Sequence, residues 1–187
     1  MQGVGGEACR AGSLEDARKA LGELRMRWDA QGVVYSLDPL VQELGVPEWL
    51  KGEGVPGQVL DGGEGERVWR AELAAAAAAQ REPNVPWHMA VIGCAGAIAE
   101  TGSIAHLTAP GHGRGGWLLC RAQVVLLTAE QIVSDLDGLF VGGGALDRNA
   151  LPRAVTLVTG PSRTADIEQT LTIGVHGPGK FAAVVMG

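Results

Sequence analysis

Residues 159–168 bring hydroxyl, guanidinium and carboxylate side chains together directly after an apolar run. The preceding residues 154–158, Ala-Val-Thr-Leu-Val, are partly β-branched and predict a buried strand. A loop that only turns the chain needs glycine, proline and one capping residue, whereas this loop carries many more polar groups. Ligands of open α/β sheets bind beyond the carboxyl ends of strands, so the sequence predicts a binding loop here.

The chemistry of this loop suits a small anion. The backbone N–H groups that follow Gly160 are expected to point outward, and Ser162 and Thr164 add hydroxyl donors. Arg163 adds a planar guanidinium that matches the oxygens of a phosphate or a carboxylate. We therefore expect Gly160, Ser162, Arg163 and Thr164 to contact a bound anion.

Two carboxylates and a histidine complete this group of candidates. Asp166 and Glu168 are expected at the same site, although either can instead pair with Arg163 inside the protein. His176 precedes Gly177-Pro178 at a second predicted turn. It is either a structural histidine or a general acid or base, because the ordinary pKa of an imidazole lies near neutrality.

The sequence Glu100-Thr101-Gly102-Ser103 forms the second candidate, a tight turn between two predicted strands. In a structural interpretation, Gly102 supplies a positive φ and its neighbours bond to the backbone. In a functional one, Glu100 is a carboxylate held beside a cleft, and Thr101, Gly102 and Ser103 contact the ligand. A glutamate beside a glycine turn also resembles the nucleophile of CoA transferases, which form an acyl-glutamate. Both candidates follow strand ends, so we expect them close together at the C-terminal edge of the sheet.

Hydrophobic periodicity and capping signals outline the remaining elements. Ser13 and Asp16 form a capping box before a helix expected over residues 13–31, which Gly32 would end. Further helices are expected at residues 38–44 and 67–81, a loop at 51–65, and strands at 87–92, 95–99, 103–108, 123–127, 154–158 and 181–186.

The order of these elements predicts an α/β fold in a single domain over residues 1–187. Thr128 and Gln131 form a second capping box, ahead of an amphipathic helix expected to reach Phe140. Strands thus alternate with helices after residue 86, with one hairpin inserted, while residues 1–85 are mainly helical. This pattern predicts a three-layer α/β/α fold with a mostly parallel sheet plus an antiparallel hairpin.

Three stretches resemble the LUD-domain family, the LutC/YkgG-type lactate-utilisation proteins. They are residues 159–168 with 174–178, residues 98–103 (Ile-Ala-Glu-Thr-Gly-Ser), and residues 124–133. The resemblance covers residues 87–187 and implies the fold of ribose-phosphate isomerases and CoA transferases. The chain departs from the family's Ser-Leu-Leu-Pro-x-x-His segment, where it reads Trp-Leu-Leu-Cys-Arg-Ala-Gln and ends at Gln123. If that histidine binds a ligand in the family, Gln123 would replace it as a neutral hydrogen-bonding group that cannot titrate.

The resemblance implies a non-redox accessory or ligand-binding subunit in the oxidation of L-lactate to pyruvate. No cofactor is expected in this chain, and iron–sulfur clusters are expected in separate partner subunits of the LutA and LutB kind. The alternative is a stand-alone enzyme that acts on a CoA thioester, a sugar phosphate or a folate with Glu100 as its reactive carboxylate. A third hypothesis is a structural assembly protein whose polar motif only stabilises a turn.

The composition narrows the range of possible functions. The net charge of −6 without a basic cluster argues against nucleic-acid binding. The three cysteines, Cys9, Cys94 and Cys120, have no CxxC spacing, and we expect the last two to be buried hydrophobes. The four histidines are not spaced as ligands on one element, so no metal site is predicted. The absence of a signal segment and of a long apolar run predicts a cytoplasmic protein without a membrane span.

Overall fold

The computed structural model describes residues 5–61, 63, 67, 70–71, 74–75, 87–108, 118–140, 146, 152–165, 171–173 and 177–187. Its helices are α1 (Leu14–Arg27), α2 (Pro39–Glu43) and α3 (Val46–Gly52). Its strands are β1 (Glu7–Ala11), β2 (Gly32–Tyr35), β3 (Gly57–Val59), β4 (Trp87–Ile92), β5 (Gly96–Ile98), β6 (Ser103–Leu107), β7 (Ala122–Thr128), β8 (Ile132–Val133), β9 (Val155–Val158), β10 (Arg163–Ala165), β11 (Leu171–Ile173) and β12 (Lys180–Met186).

A six-stranded parallel sheet organises the molecule. Its strand order is β1-β12-β7-β4-β2-β3, and every neighbouring pair is parallel. A second sheet has the order β8-β5-β6-β9 and contains the predicted antiparallel hairpin, β5–β6. Strands β10 and β11 form a separate antiparallel pair. The predicted α/β class with a mostly parallel sheet and an inserted hairpin is confirmed.

Alternating side chains of the parallel sheet build two cores. In β7, Val124 and Leu126 face helices α1–α3, whereas Val125 and Leu127 face the opposite side. On that opposite side the four-stranded sheet supplies inward-facing side chains, from Ala97 among others. Parallel strands must be covered on both faces, so β7 has to carry consecutive apolar residues, and its sequence Val-Val-Leu-Leu does so.

Helix α1 begins as the sequence predicts and ends earlier. The Ser13 hydroxyl accepts the Asp16 N–H at 3.1 Å, and the buried face includes Ala17, Leu21 and Leu24. The helix ends at Trp28, and Asp29 takes the left-handed conformation with a φ of 52°. The predicted end at Gly32 is wrong because residues 32–35 are drawn into the parallel sheet as β2.

The prediction of a helix after Thr128 is also wrong. The capping box forms, with the Thr128 N–H donating to Gln131 Oε1 at 2.8 Å, but only two short 3₁₀ turns follow it, at Ala129–Gln131 and Asp137–Leu139. Gln131 Nε2 donates to the Cys94 carbonyl, and the next two residues pair with β5 as β8. Tertiary strand pairing therefore overrides a local helix signal.

The first 85 residues contain strands as well as helices. Strands β1, β2 and β3 all belong to the parallel sheet, and none of them was predicted. Helix α2 confirms the helix expected at residues 38–44, whereas α3 and β3 enter the stretch expected to be a loop. Residues 67, 70–71 and 74–75 are helical, as predicted, and the rest of that predicted helix lies outside the described residues. In the described part of the chain, no helix is long and apolar enough to cross a membrane.

Truncation of a core leucine in β7 should destabilise the protein much more than truncation of an exposed one. We expect Leu126→Ala, at a side chain only 1% exposed, to lower the free energy of unfolding by about 3 kcal/mol. The matched control is Leu157→Ala in β9, at a side chain 43% exposed, which should cost less than about 1 kcal/mol. Urea denaturation measures both, and equal losses would place Leu126 outside the core.

Candidate functional site

Three hydroxyl groups join the Glu100–Ser103 turn to the end of β9. Ser103 Oγ lies 2.7 Å from Thr101 Oγ1 and 2.7 Å from Thr159 Oγ1. The antiparallel register of β6 and β9 pairs Ile104 with Val158, which puts Ser103 opposite Thr159. Ser103 is buried, while Thr101 and Thr159 are exposed. The two polar segments that the sequence singled out therefore meet in space.

This hydroxyl chain presents a hydrogen-bond donor to solvent. Each hydroxyl carries one proton, and either partner can donate in each of the two hydrogen bonds. The two bonds use two of the three protons, so one hydroxyl proton is not used within the chain. An exposed donor beside a carboxylate-rich or phosphate-bearing ligand stabilises the charge of that ligand.

The turn itself is built as a glycine turn. Gly102 has a φ of 67° and its N–H donates to the Ile98 carbonyl at 2.9 Å. Glu100 is exposed, and its N–H donates to the Ser134 carbonyl at 3.0 Å. The backbone of Glu100 is thus fixed by the second sheet, while its side chain lies at the surface. Its reactive role stays a hypothesis.

The loop after β9 contains the residues of the predicted anion cradle. Gly160 has a φ of 82°, and Arg163 is exposed. The Ser162 N–H, however, donates to the Pro178 carbonyl at 2.8 Å. That amide is used inside the protein, so the cradle would rely on side chains more than the sequence suggested. Thr164 lies in β10, opposite Thr172 of β11.

The loop lies at the amino ends of parallel strands, so the expected C-terminal edge is wrong for it. Ser162 bonds to Pro178, two residues before β12, and the Arg163 guanidinium occupies the space that a side chain on Gly5 would take, two residues before β1. The physical reason is that β9 belongs to the second sheet. Its end therefore does not coincide with the carboxyl edge of the parallel sheet.

Three of the predicted site residues cannot be compared with the structure. Asp166, Glu168 and His176 lie outside the described residues. Their proposed roles as ligand contacts, and for His176 as an acid or base, stay predictions.

A polar cluster that sequence reasoning missed lies at the carboxyl ends of β2 and β4. Asp38 Oδ2 accepts the Gly93 N–H at 3.0 Å and also the Ser36 hydroxyl, and all three residues are buried. The sequence interpretation made Asp38 a helix N-cap, but its side chain makes no capping bond to α2. The signal that was available is its position three residues after an apolar stretch, residues 32–35, that proves to be a strand.

His106 and Gln123 continue this cluster between the two sheets. Gln123 Nε2 lies 3.1 Å from His106 Nε2, and His106 also bonds to the Gly93 backbone. An amide nitrogen only donates, so His106 Nε2 accepts and its proton is on Nδ1. Gln123 is thus a neutral hydrogen-bonding group bonded to His106, and its role towards a ligand stays a prediction. Burial lowers the pKa of His106 to about 4, partly offset by the Asp38 carboxylate and the Gly93 bond.

The thiols do not have the character of nucleophiles or metal ligands. Burial raises the pKa of Cys94 to about 12, with a further increase from the Asp38 charge. Burial also raises the pKa values of Cys120 and Cys9. Among the described residues there is no group of three or more His, Cys, Asp or Glu side chains that could hold a metal ion.

Comparison with known proteins identifies the family. The family model of the LUD domain matches residues 1–186, so this chain belongs to the LUD domain family. The match includes the N-terminal third, where the motifs alone gave no resemblance.

Individual relatives agree with this assignment. Lactate utilization protein C of Halalkalibacterium halodurans is 27% identical over 92% of this chain and 70% of its own length. Lactate utilization protein C of Bacillus subtilis is 29% identical over 89% of this chain and 67% of its own length. A crystal structure of a DUF162 family protein from Deinococcus radiodurans superposes with a TM-score of 0.56 at 20% identity, covering 98% of this chain and 90% of that one. That structure supports the fold.

The buried histidine should make stability depend on pH. The pKa of His106 is lowered from 6.5 to about 4. Between these pH values the imidazole is therefore protonated in the unfolded chain but neutral in the folded protein. The contribution of neutral His106 to the free energy of unfolding should be complete above pH 6.5 and should fall as the pH drops towards 4. The fall should be roughly 2 kcal/mol between pH 7 and pH 5.

Urea unfolding at several pH values tests this in wild type and His106→Asn. The variant should lose this part of the pH dependence, whatever its stability at pH 7. The control His88→Asn removes a partly exposed imidazole and should keep it. An unchanged pH dependence in the His106 variant would show that another group is responsible.

Proposed function

We propose that this chain is a LutC-like, non-redox accessory or ligand-binding subunit in L-lactate utilisation. The observation that carries this proposal is the LUD domain match over residues 1–186, together with relatives named lactate utilization protein C that align over most of the chain. The chain would act beside separate iron–sulfur subunits that perform the electron transfer.

The cysteines of the chain support this division of labour. Ordinary iron–sulfur clusters are held by four thiolates, and the whole sequence contains only three cysteines. Burial also raises the pKa of each of these thiols, which disfavours the thiolate form that binds iron. The contribution of this chain would therefore come through ligand binding or through contact with partner subunits.

The ligand would be a small anion bound near Ser162 and Arg163. Two further basic side chains, Arg121 and Lys180, are exposed at the same amino ends of the parallel strands. Their backbones are adjacent, since the Gly179 and Lys180 N–H groups both donate to the Arg121 carbonyl. A cluster of one sign of charge raises the local concentration of an anion. The exposed hydroxyl chain at Thr159 would add a neutral donor.

A stand-alone enzyme is the second candidate. The observation that favours it is the exposed Glu100, held by a fixed backbone one residue from the hydroxyl chain. Such a carboxylate is accessible to a CoA thioester, a sugar phosphate or a folate, and a covalent route would require it as nucleophile. Glu100→Gln would abolish turnover in that case, whereas it would leave a purely accessory role intact.

The isolated chain should not oxidise lactate. We expect no L-lactate-dependent reduction of an artificial electron acceptor by the purified chain, even after an attempt to reconstitute iron–sulfur clusters, because it cannot supply four thiolates. Dye reduction should appear only when cluster-bearing partner subunits are added. Lactate-dependent reduction by this chain alone, with a stoichiometric chromophore, would refute the accessory role.

Arg163→Ala should weaken anion binding with little effect on stability, because Arg163 is an exposed residue. We expect about a tenfold increase in Kd for inorganic phosphate or L-lactate, measured by calorimetry, since a charge-assisted hydrogen bond is lost. Arg153→Ala is the matched control, because Arg153 is also exposed and precedes β9. If Arg163→Ala unfolds, or if both variants bind equally well, the anion site is not at this loop.

A further inference from the structure

Strands β2 and β4 are neighbours whose chains leave towards opposite faces of the parallel sheet. Their register pairs Tyr35 with Val91, and the Ser36 N–H extends the ladder to the Val91 carbonyl at 3.1 Å. After β2 the chain enters α2 on the helical face, whereas after β4 it enters β5 on the other face. Open α/β sheets bind ligands outside the carboxyl ends of strands at such a switch point. The lactate-utilisation proposal makes no use of this edge.

The backbone at this switch point is shaped around a carboxylate. Asp38 Oδ2 accepts the Gly93 N–H at 3.0 Å, which joins the carboxyl ends of β2 and β4. A Cβ at position 93 would lie 2.6 Å from both Cβ and Cγ of Asp38, so only glycine allows this close approach. The Gln131 amide bonds both Thr128 and Cys94, which ties the end of β7 to the same place. The polar groups are therefore held rigidly.

A buried acceptor lies behind this carboxylate. Gln123 is 0% exposed, and among the described residues no donor reaches its Oε1. Its Nε2 is engaged by His106, which in turn bonds to the Gly93 backbone. A buried acceptor without a partner is costly, so such an atom points to a donor that enters the cluster from outside.

The charges at this edge select the ligand. Asp38 follows β2, the exposed Asp61 follows β3, and the exposed Glu130 follows β7. Carboxylates on three strand ends disfavour an anion, and no metal-binding group was found among the described residues. Carboxylate and amide oxygens accept several hydrogen bonds each, which suits a ligand rich in hydroxyl donors.

We propose that the switch point between β2 and β4 binds a neutral polyhydroxylated ligand, a pentose or the ribose of a nucleoside, with Asp38 accepting its hydroxyl donors. The Gly93 backbone, Ser36 and the His106–Gln123 pair position this carboxylate. The site lies at the opposite end of the parallel sheet from the Arg163 loop, so the two sites are independent.

Titration of the full chain with D-ribose and with adenosine tests the proposal. In ¹H–¹⁵N NMR spectra, the Gly93 amide should shift in a saturable manner with at least one of these probes. Asp38→Asn should raise the Kd about tenfold, because one charged acceptor is lost. Glu23→Gln, the matched control at an exposed carboxylate in the second half of α1, should bind as wild type does.

Failure of this proposal can be distinguished from failure of the anion site at the Arg163 loop. Arg163→Ala should retain the Gly93 response to the neutral probes, and inorganic phosphate should not produce it. If neither probe shifts the Gly93 amide of the wild type, or if Asp38→Asn binds with unchanged Kd, the proposal is wrong. The wild-type titration decides the matter even if Asp38→Asn does not fold.

Discussion

The parallel sheet has to be covered on both faces, and the chain meets this requirement in two different ways. Helices α1–α3 cover one face, and a second sheet covers part of the other. Parallel strands bury both of their faces, so strands such as β7 need consecutive apolar side chains. The second sheet also forms a polar contact with the parallel sheet, because the β5–β6 hairpin brings His106 within hydrogen-bonding distance of Gln123.

The two ends of the parallel strands have different chemical environments. At the amino ends of β1 and β12, exposed Arg163, Arg121 and Lys180 give a positive surface beside a chain of hydroxyls. At the carboxyl ends of β2 and β4, the buried Asp38 rests on the backbone of Gly93. Although the net charge is −6, these three exposed basic residues lie at one end of the sheet, where an anion can approach them.

The sequence predicted the elements whose signals are local and uninterrupted. Strands β4, β7 and β12 have apolar or β-branched runs, and α1 has a cap with a periodic face, so each was found. Strands β1–β3 are short and lie beside helical patterns, so their identity depends on partners distant in sequence. The capping box at Thr128 was correct but misleading, because pairing of β8 with β5 is a tertiary interaction.

The candidate site was predictable by residue type but not by position. The motifs at Ser103 and Thr159 were expected to lie close together, and their hydroxyls are hydrogen-bonded. No local pattern revealed that β9 belongs to a second sheet, which moves the loop away from the expected edge. Asp38 was hidden for a different reason, since an aspartate before a proline signals a helix start whether or not its side chain caps the helix.

The order of the strands also constrains how the protein is made. Strand β1 joins the parallel sheet only through β12, and the Cys9 thiol and Ala183 carbonyl that touch there are 174 residues apart. During synthesis from the N-terminus, β1 has no sheet partner among these strands until the segment of β12 leaves the ribosome. The edge of the apolar strand β7 that pairs with β12 also stays unpaired until β12 has emerged. Unpaired apolar edges are prone to aggregation, so the nascent chain depends on rapid completion or on chaperone protection.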